Sequence, residues 1–334
     1  MTNLNLVTGA NGHLGNNLVR ALVERGDTVR ASVRNPKNTA PFEGLDCEIV
    51  QADLMDKDSL LRALEGVDTL YQVAAVFKQW ARDPQKEIIE PNLHGTRNVL
   101  EAAAEQGVGR VVYVSSEVTL DESVLPVTES TWRTEFHNNP YVQSKTESEQ
   151  LAWQLAEEYD VDMVSVLPGA IIGPHCFSLT PTMDYILQAL NGDVFLDINF
   201  SFTFVDVRDV AAGMIAAANK GRRGERYLLA TEEPLRTRQI IDLVRERNPD
   251  VKMPSRVPKV LLQGMSSAME VTSKITGQKP LLLRSQVELF YGVVTPKDIS
   301  KARTELGFTP RDPETAIRET IVHLGEYPGN GDDN

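Results

Sequence analysis

The sequence predicts an α/β chain built on a doubly wound parallel sheet. Strand and helix patterns alternate through its first half, the arrangement that puts helices on both faces of parallel strands. A glycine-rich stretch, Thr8-Gly-Ala-Asn-Gly-His-Leu-Gly15, falls where the first strand gives way to the first helix. Further on, Tyr141-Val-Gln-Ser-Lys145 places a phenol and an ammonium one helical turn apart.

The elements follow in order. Leu4 to Val7 is a short apolar strand, and Leu14, Leu18, Ala21 and Leu22 recur at helical spacing until Gly26 stops the helix. Strands are expected at Thr28 to Val33, Glu48 to Ala52, Thr69 to Ala74, Val111 to Ser115 and Met163 to Leu167. Helices are expected at Lys57 to Leu64, from about Pro84 to Gln106, and from near Pro140 to Tyr159. The second half is less regular. Phe200 to Asp206 reads as a strand, Asp209 as the N-cap of a helix Val210 to Asn219, Tyr227 to Ala230 as a strand, and Val260 to Ile275 as an amphipathic segment. The polar tail, 325–334, is expected to be disordered.

In a doubly wound sheet, ligands bind outside the carboxyl ends of the strands. Gly9, Arg34, Asp53, Ala74 and Ser116 stand at such ends. The glycine loop has the context of a Rossmann-type dinucleotide site. Gly9 permits a tight turn, Gly12 lets backbone approach a pyrophosphate, Gly15 lets helix and strand pack closely, and the helix N-terminus presents N–H groups to the anion. An NAD site puts an acid at the end of the second strand. Here the sequence reads Arg34-Asn-Pro-Lys37, so NADP(H) is expected in preference to NAD(H), with Arg34 and Lys37 on the 2′-phosphate.

Composition excludes several classes. The chain has 334 residues, 41% of them hydrophobic and 24% charged, with 34 basic against 47 acidic side chains for a net charge of −13. Nucleic acid and anionic membranes call for clustered Lys and Arg, so neither is expected as a partner. No apolar run has the length of a membrane span and the N-terminus has no signal-peptide pattern, which points to the cytoplasm. Cys47, Cys176 and the five scattered histidines have no metal-ligand spacing, and no metal is expected.

Seven motifs in order resemble the extended short-chain dehydrogenase/reductase superfamily, and within it the dihydroflavonol-4-reductase-like branch of the NAD-dependent epimerase/dehydratase fold. They are the glycine loop, Asp53-Leu54, Asn92-Leu-His-Gly-Thr-Arg-Asn98, Ser115-Ser116, Tyr141 to Lys145, Leu167-Pro-Gly-Ala-Ile-Ile-Gly-Pro174 and Val205-Asp-Val-Arg-Asp-Val-Ala211. The resemblance implies a dinucleotide domain of residues 1–171, to which 204–234 and 295–324 return, and a smaller interleaved α/β substrate lobe of 172–203 and 235–294. It also implies a cofactor site of Thr8, Gly9, Asn11, Gly12, His13, Leu14, Gly15, Arg34, Lys37, Asp53, Leu54, Ala74, Ala75, Lys145 and Pro168. Homodimers are a further possibility for such a chain.

The catalytic expectation is Ser116, Tyr141, Lys145 and Asn92. An ammonium beside a phenol favours the phenolate, so Lys145 is expected to draw the Tyr141 pKa down toward neutrality. Tyr141 then passes a proton to a carbonyl oxygen or takes one from an alcohol, Ser116 orients that oxygen, and Lys145 holds the nicotinamide ribose. By resemblance Asn92 completes a proton relay, or else ties its helix to backbone. Ser115, Asp206 and Arg208 read as structural. Glu117 departs from the small residue usual after the second serine, and either reshapes the pocket or points to solvent.

No Lys or Arg lies between Thr146 and Val207, while Phe77, Phe177, Tyr185, Phe195, Phe200 and Phe202 are available to an apolar slot. A diphosphate needs cations. The expected substrate is therefore a small neutral or apolar carbonyl compound or alcohol, held by Phe77, Glu117, Phe177, Tyr185 and Phe202 and reduced with NADPH. Three alternatives stay open: a nucleotide-sugar epimerase or dehydratase with tightly held NAD, a 3-beta-hydroxysteroid-type dehydrogenase, and a dinucleotide sensor without catalysis. The epimerase reading lacks its Ser-x-x-x-Tyr-Gly stretch, since Ser116 is followed by Glu-Val-Thr-Leu-Asp, and the sensor reading is at odds with an intact Tyr and Lys.

Overall fold

The computed structural model describes residues 3–325. Seven parallel strands form the central sheet: β1 (Leu4–Thr8), β2 (Thr28–Val33), β3 (Glu48–Gln51), β4 (Thr69–Gln72), β5 (Arg110–Val114), β6 (Met163–Pro168) and β7 (Arg226–Leu229). Their order is β7-β6-β5-β4-β1-β2-β3. The chain winds outward in one direction to β3, then returns past β1 to β4, so the topological switch point lies between β1 and β4. Val7 pairs with Ala31 on one side and Tyr71 on the other.

Nearly continuous apolar strands demand cover on both faces. Helix α1 (His13–Glu24) packs on one face with the helix Val207–Lys220, burying Leu14, Leu18, Leu22, Val210 and Met214. On the other face α2 (Lys57–Leu64), α3 (Glu90–Glu105) and α4 (Pro140–Glu158) bury Leu60, Leu64, Val99, Leu100, Ala152 and Leu155. Asp56 caps α2, accepting from the Ser59 N–H at 3.2 Å. The expected long helix before β5 has an uneven start: Gln85–Ile89 is a wider, π-type turn, and the regular helix begins at Glu90, ahead of Pro91.

The second half contributes α5 (Pro181–Asn191), α6 (Val207–Lys220), which packs on the sheet, α7 (Thr237–Arg247), α8 (Lys259–Thr276) and α9 (Arg284–Phe290), and α10 (Pro313–Gly325) closes the described chain. A core separate from those on the sheet, of Met183, Ile186, Phe204, Ile240, Val244, Ile317 and neighbours, is drawn from α5, α7, α10 and the short strand Phe204–Asp206, and marks a smaller lobe.

Two expectations are corrected here. Phe200 to Asp206 is not one strand: Ser201–Phe202 pairs antiparallel with Leu235–Arg236, whereas Phe204–Asp206 pairs parallel with Ala170–Ile172. Two partners on different sheets break a run that is continuous in hydrophobicity. The N-cap of α6 is Asp206, whose carboxylate accepts from the Arg208 N–H at 2.8 Å. Asp209 lies in the first turn and holds Arg311 at 2.9 Å. The tail expectation falls on 326–334, outside the described residues; Gly325 ends α10.

Candidate functional site

Strand ends, loop and lobe enclose a cleft of about 1200 Å³. Thr8, Gly9, Val33, Arg34, Ala52, Asp53, Val73, Ala74, Ser115, Ser116 and Pro168 reach it from six strand ends, and Tyr185, Phe200, Phe202 and Leu281 to Leu283 reach it from the lobe.

The glycine loop is shaped to hold backbone against a ligand. Gly9 has φ +62°, and a Cβ there would sit 3.0 Å from the Ala74 Cα, while a Cβ at Gly15 would run into the Gly9 carbonyl oxygen. Side chains are excluded at both positions, so the turn can lie flat beneath a pyrophosphate at the start of α1. These residues fit a dinucleotide. Thr8 acts below the surface: its hydroxyl donates to Gln72 Oε1 at 2.8 Å and accepts from the N–H of Val73 and Ala74 at 2.9 and 3.0 Å, locking β1 to β4 at the switch point. His13 turns its ring to the carbonyls of Gly173 and Pro174, at 3.2 and 3.1 Å, and burial lowers its pKa to about 4. It is a neutral strut, and only its backbone is left for an anion.

Asn11, Gly12, Leu14, Leu54, Ala75 and Lys145 also line the cleft, as expected from the sequence. Asp53 is set by its own turn, its N–H donating to Ser59 Oγ at 3.0 Å. Arg34 lines the cleft at the end of β2, and no carboxylate pairs with it among the described residues. Lys37 does not line the cleft; the turn at Asn35, closed by Lys37 N–H to Asn35 Oδ1 at 3.1 Å, carries it out to solvent.

Tyr141 owes its position to the start of α4. Asn139 caps the helix, accepting from the N–H of Tyr141 and Val142 at 3.1 Å each, and Pro140 takes the first position. The phenol hydroxyl lies beside Ser116, and its ring packs on Phe77 at 5.1 Å between centroids. The expected depression of its pKa is overturned. Burial dominates and the nearby Glu117 carboxylate adds to it, so Tyr141 is pushed up to about 12 despite the neighbouring Ser116 hydroxyl. The group is a protonated phenol at neutral pH, suited to giving a proton. Lys145 is lowered to about 8, because burial outweighs the attraction of Glu149.

Asn92 is committed to backbone. Its Oδ1 accepts from the Val76 N–H at 2.7 Å, and its Nδ2 donates to the Val76 carbonyl at 3.1 Å and to Ser144 Oγ at 2.7 Å. It fixes the loop that carries Phe77.

Glu117 points inward. Its carboxylate faces Lys297 at 3.5 Å, and Lys297 is also 3.2 Å from Glu122, which in turn holds Arg133 at 2.7 Å. Burial raises the Glu117 pKa against the pull of Lys297. Phe177 and Phe195 do not line the cleft. The turn through Gly173 and Pro174, pinned by His13, directs Phe177 away to the α1 side, under Arg20. Phe195 is exposed to solvent. Tyr185 and Phe202 do line it, as a tilted pair 5.6 Å apart.

Sequence reasoning passed over the group that holds these parts together. Glu149, one turn beyond Lys145 on α4, is fully buried and accepts from Ser115 Oγ at 2.6 Å, Thr119 Oγ1 at 3.0 Å, Ser165 Oγ at 2.8 Å and both Nε and Nη2 of Arg226 at 2.9 Å. Arg226 in turn donates to the carbonyls of Glu129 and Thr131 at 2.9 and 2.8 Å. The signal available was the continuing i+4 series Tyr141, Lys145, Glu149 on one helical face.

A parallel sheet with a glycine cradle at its switch point and a Ser–Tyr–Lys set at the neighbouring strand end defines a dinucleotide-dependent enzyme of oxidoreductase type. Residues 5–230 match the NAD dependent epimerase/dehydratase family, and the chain belongs to it. It is 32% identical over 326 residues to sterol demethylase protein B of Methylococcus capsulatus, across 96% of this chain and 98% of that one. It is 36% identical to a putative dihydroflavonol 4-reductase of Synechocystis, across 68% and 67% of the two chains. With cinnamoyl-CoA reductase CAD2 of Medicago truncatula it shares 31% identity, across 76% and 83%. The crystal structure of gox2253 superposes with a TM-score of 0.84 at 30% identity, covering 97% of this chain and 98% of that one. The enzyme is NAD(P)-dependent, and among the described residues no helix is long and apolar enough to cross a membrane.

Proposed function

We propose that the protein is an NADPH-dependent reductase of apolar ketones or aldehydes, running also as an alcohol dehydrogenase in reverse. The observation that carries the reading is the protonated Tyr141 beside Ser116 and Lys145 in one aromatic-lined cleft. The bound cofactor supplies hydride to the carbonyl carbon. Tyr141 gives its phenolic proton to the carbonyl oxygen, Ser116 donates to the same oxygen and fixes its angle, and Lys145 keeps a positive charge beside them. Solvent returns the proton to Tyr141. Asn92 supports the set as a positioning residue.

The preference for NADP(H) rests on Arg34 at the end of β2, where the fork of a guanidinium suits a 2′-phosphate. Arg34→Ala should raise the KM for NADPH at least tenfold while leaving that for NADH little changed. Equal efficiency with both cofactors, unaltered by the substitution, would remove the assignment.

A nucleotide-sugar or acyl-CoA substrate fits less well. Among the described residues that the lobe turns to the cleft, Lys279 alone is cationic, while Lys78, Arg133 and Lys297 on the other side are already held by Glu87, Glu122 and Glu117. A second reading, oxidation of a 3-beta-hydroxysteroid-like alcohol, is favoured by the match along nearly the whole of a protein named for sterol demethylation. We place the reaction in the cytoplasm, where free thiols such as Cys47 and Cys176 are kept reduced. The test is a panel of aryl, alkyl and ring ketones and aldehydes with NADPH, and of ring alcohols with NADP⁺, followed by nicotinamide absorbance. Turnover of UDP-sugars or CoA thioesters with none of the simple carbonyls would overturn the reading.

The pH profile gives an independent check. The Lys145 ammonium is present below about pH 8 and lost above it, whereas Tyr141 stays protonated to about 12. Reduction measured as kcat/KM, which reports groups of the free enzyme, should therefore fall as pH rises through about 8. Lys145→Arg should lack that limb.

A further inference from the structure

We infer that α8 and the loop after it form a docking surface for an anionic lipid bilayer. A surface helix ordinarily buries its apolar stripe and shows charge to water. Helix α8 also turns apolar side chains to water. Val260 is 80% exposed, Leu261 56%, Val271 61% and Ile275 79%, and Leu281 in the following loop is 90% exposed. Together with the exposed Gly264 and Ala268, these positions fall on one helical face, and the side turned to the protein buries Leu262, Ser266 and Ser273. Ser255, just before α8, pairs with Leu196, which brings the exposed Phe195 to the same end of the lobe.

Charge names the occupant. From 252 to 284 the chain has six cations, Lys252, Arg256, Lys259, Lys274, Lys279 and Arg284, against one acid, Glu270, in a protein whose net charge is −13; Arg256 and Arg284 are held by Asp197 at 3.4 Å and Glu288 at 2.8 Å, which leaves the four lysines to set the local charge. Glu270 is spent on the Arg284 backbone N–H at 2.8 Å. Among the described residues, no carboxylate pairs with any of the four lysines. The whole-chain charge argued against an anionic surface, but the local charge is opposite in sign and rims the apolar face. An apolar stripe bordered by lysines is the pattern of a helix lying in the plane of a bilayer interface. A second copy of this acidic chain would gain from the charge, but it does not call for apolar side chains followed by an exposed leucine at a cavity mouth. Lys279 to Leu283 line the rim of the cleft, so a bilayer seated on α8 would adjoin the entrance for an apolar substrate. The inference is independent of which carbonyl compound is reduced.

The test is flotation of the full chain with phosphatidylcholine vesicles, with and without phosphatidylglycerol. The protein should float with the anionic vesicles at low salt and be released by salt. Val271→Asp with Ile275→Asp, both at exposed positions that tolerate a charge, should abolish flotation while leaving turnover of a water-soluble ketone unchanged. Lys274→Gln with Lys279→Gln should weaken partitioning about 30-fold. Failure to float with any vesicle, or flotation that survives the double aspartate variant, would overturn the inference. So would a dimer in sedimentation that the aspartates dissociate, since the face would then belong to a second copy.

Discussion

Tyr141→Phe should lower kcat by about 10²- to 10⁴-fold, the range of a positioned general acid, and leave NADPH affinity nearly unchanged. The ring that packs on Phe77 is retained and only the hydroxyl beside Ser116 is lost. The glycine loop, on the far side of the switch point, is untouched. Turnover by stopped absorbance and cofactor binding by quenching of protein fluorescence separate the two effects. A variant that kept most of its activity would mean that another group supplies the proton, and the candidate site would be wrong. Lys145→Ala, by contrast, should damage binding and turnover together, because the same ammonium faces both.

The largest effect on stability is expected from Glu149→Ala or Arg226→Ala. Each removes one member of a buried ion pair and strands the other, along with the hydroxyls of Ser115, Thr119 and Ser165 in the case of Glu149. Breaking such a pair costs about 3–5 kcal/mol, whereas replacing both partners by apolar side chains of similar volume can be nearly neutral. Urea unfolding should thus show a large loss in either single variant and a smaller one in Glu149→Leu with Arg226→Met. A loss below about 1 kcal/mol in both single variants would show that solvent reaches the pair. The pair also joins α4, which carries Tyr141 and Lys145, to the turn after Ser116, so kcat in the surviving fraction should fall as well.

Much of this molecule could be read locally. The six strands from β1 to β6, α2 and α4 were legible because each is a short apolar run or a helical stripe bounded by Gly, Pro or a capping residue. The glycine cradle was legible because its requirement is a backbone one, met within a few residues. Asp206 with Arg208 and Ser115 took the structural roles read for them, since the first pair is adjacent and the second lies one strand residue inside the site.

The sequence by itself determined the sheet, the cradle, the Tyr141–Lys145 spacing and an aromatic supply for the cleft, all of them consequences of local period and spacing, while Ser116 was singled out by the family resemblance. Tertiary structure decided what depends on distant neighbours. Tyr141 is a protonated phenol because burial and Glu117 outweigh the neighbouring Ser116 hydroxyl, and Asn92 is spent on Val76 because the loop before α3 folds back over it. Phe177 leaves the cleft because a histidine 164 positions earlier pins the turn before it. Glu149 and Arg226, 77 residues apart, become partners only when β6 and β7 lie side by side. The outward face of α8 was invisible for the same reason. A helical stripe in a sequence says that one side is apolar, and only the packed chain says which side meets water.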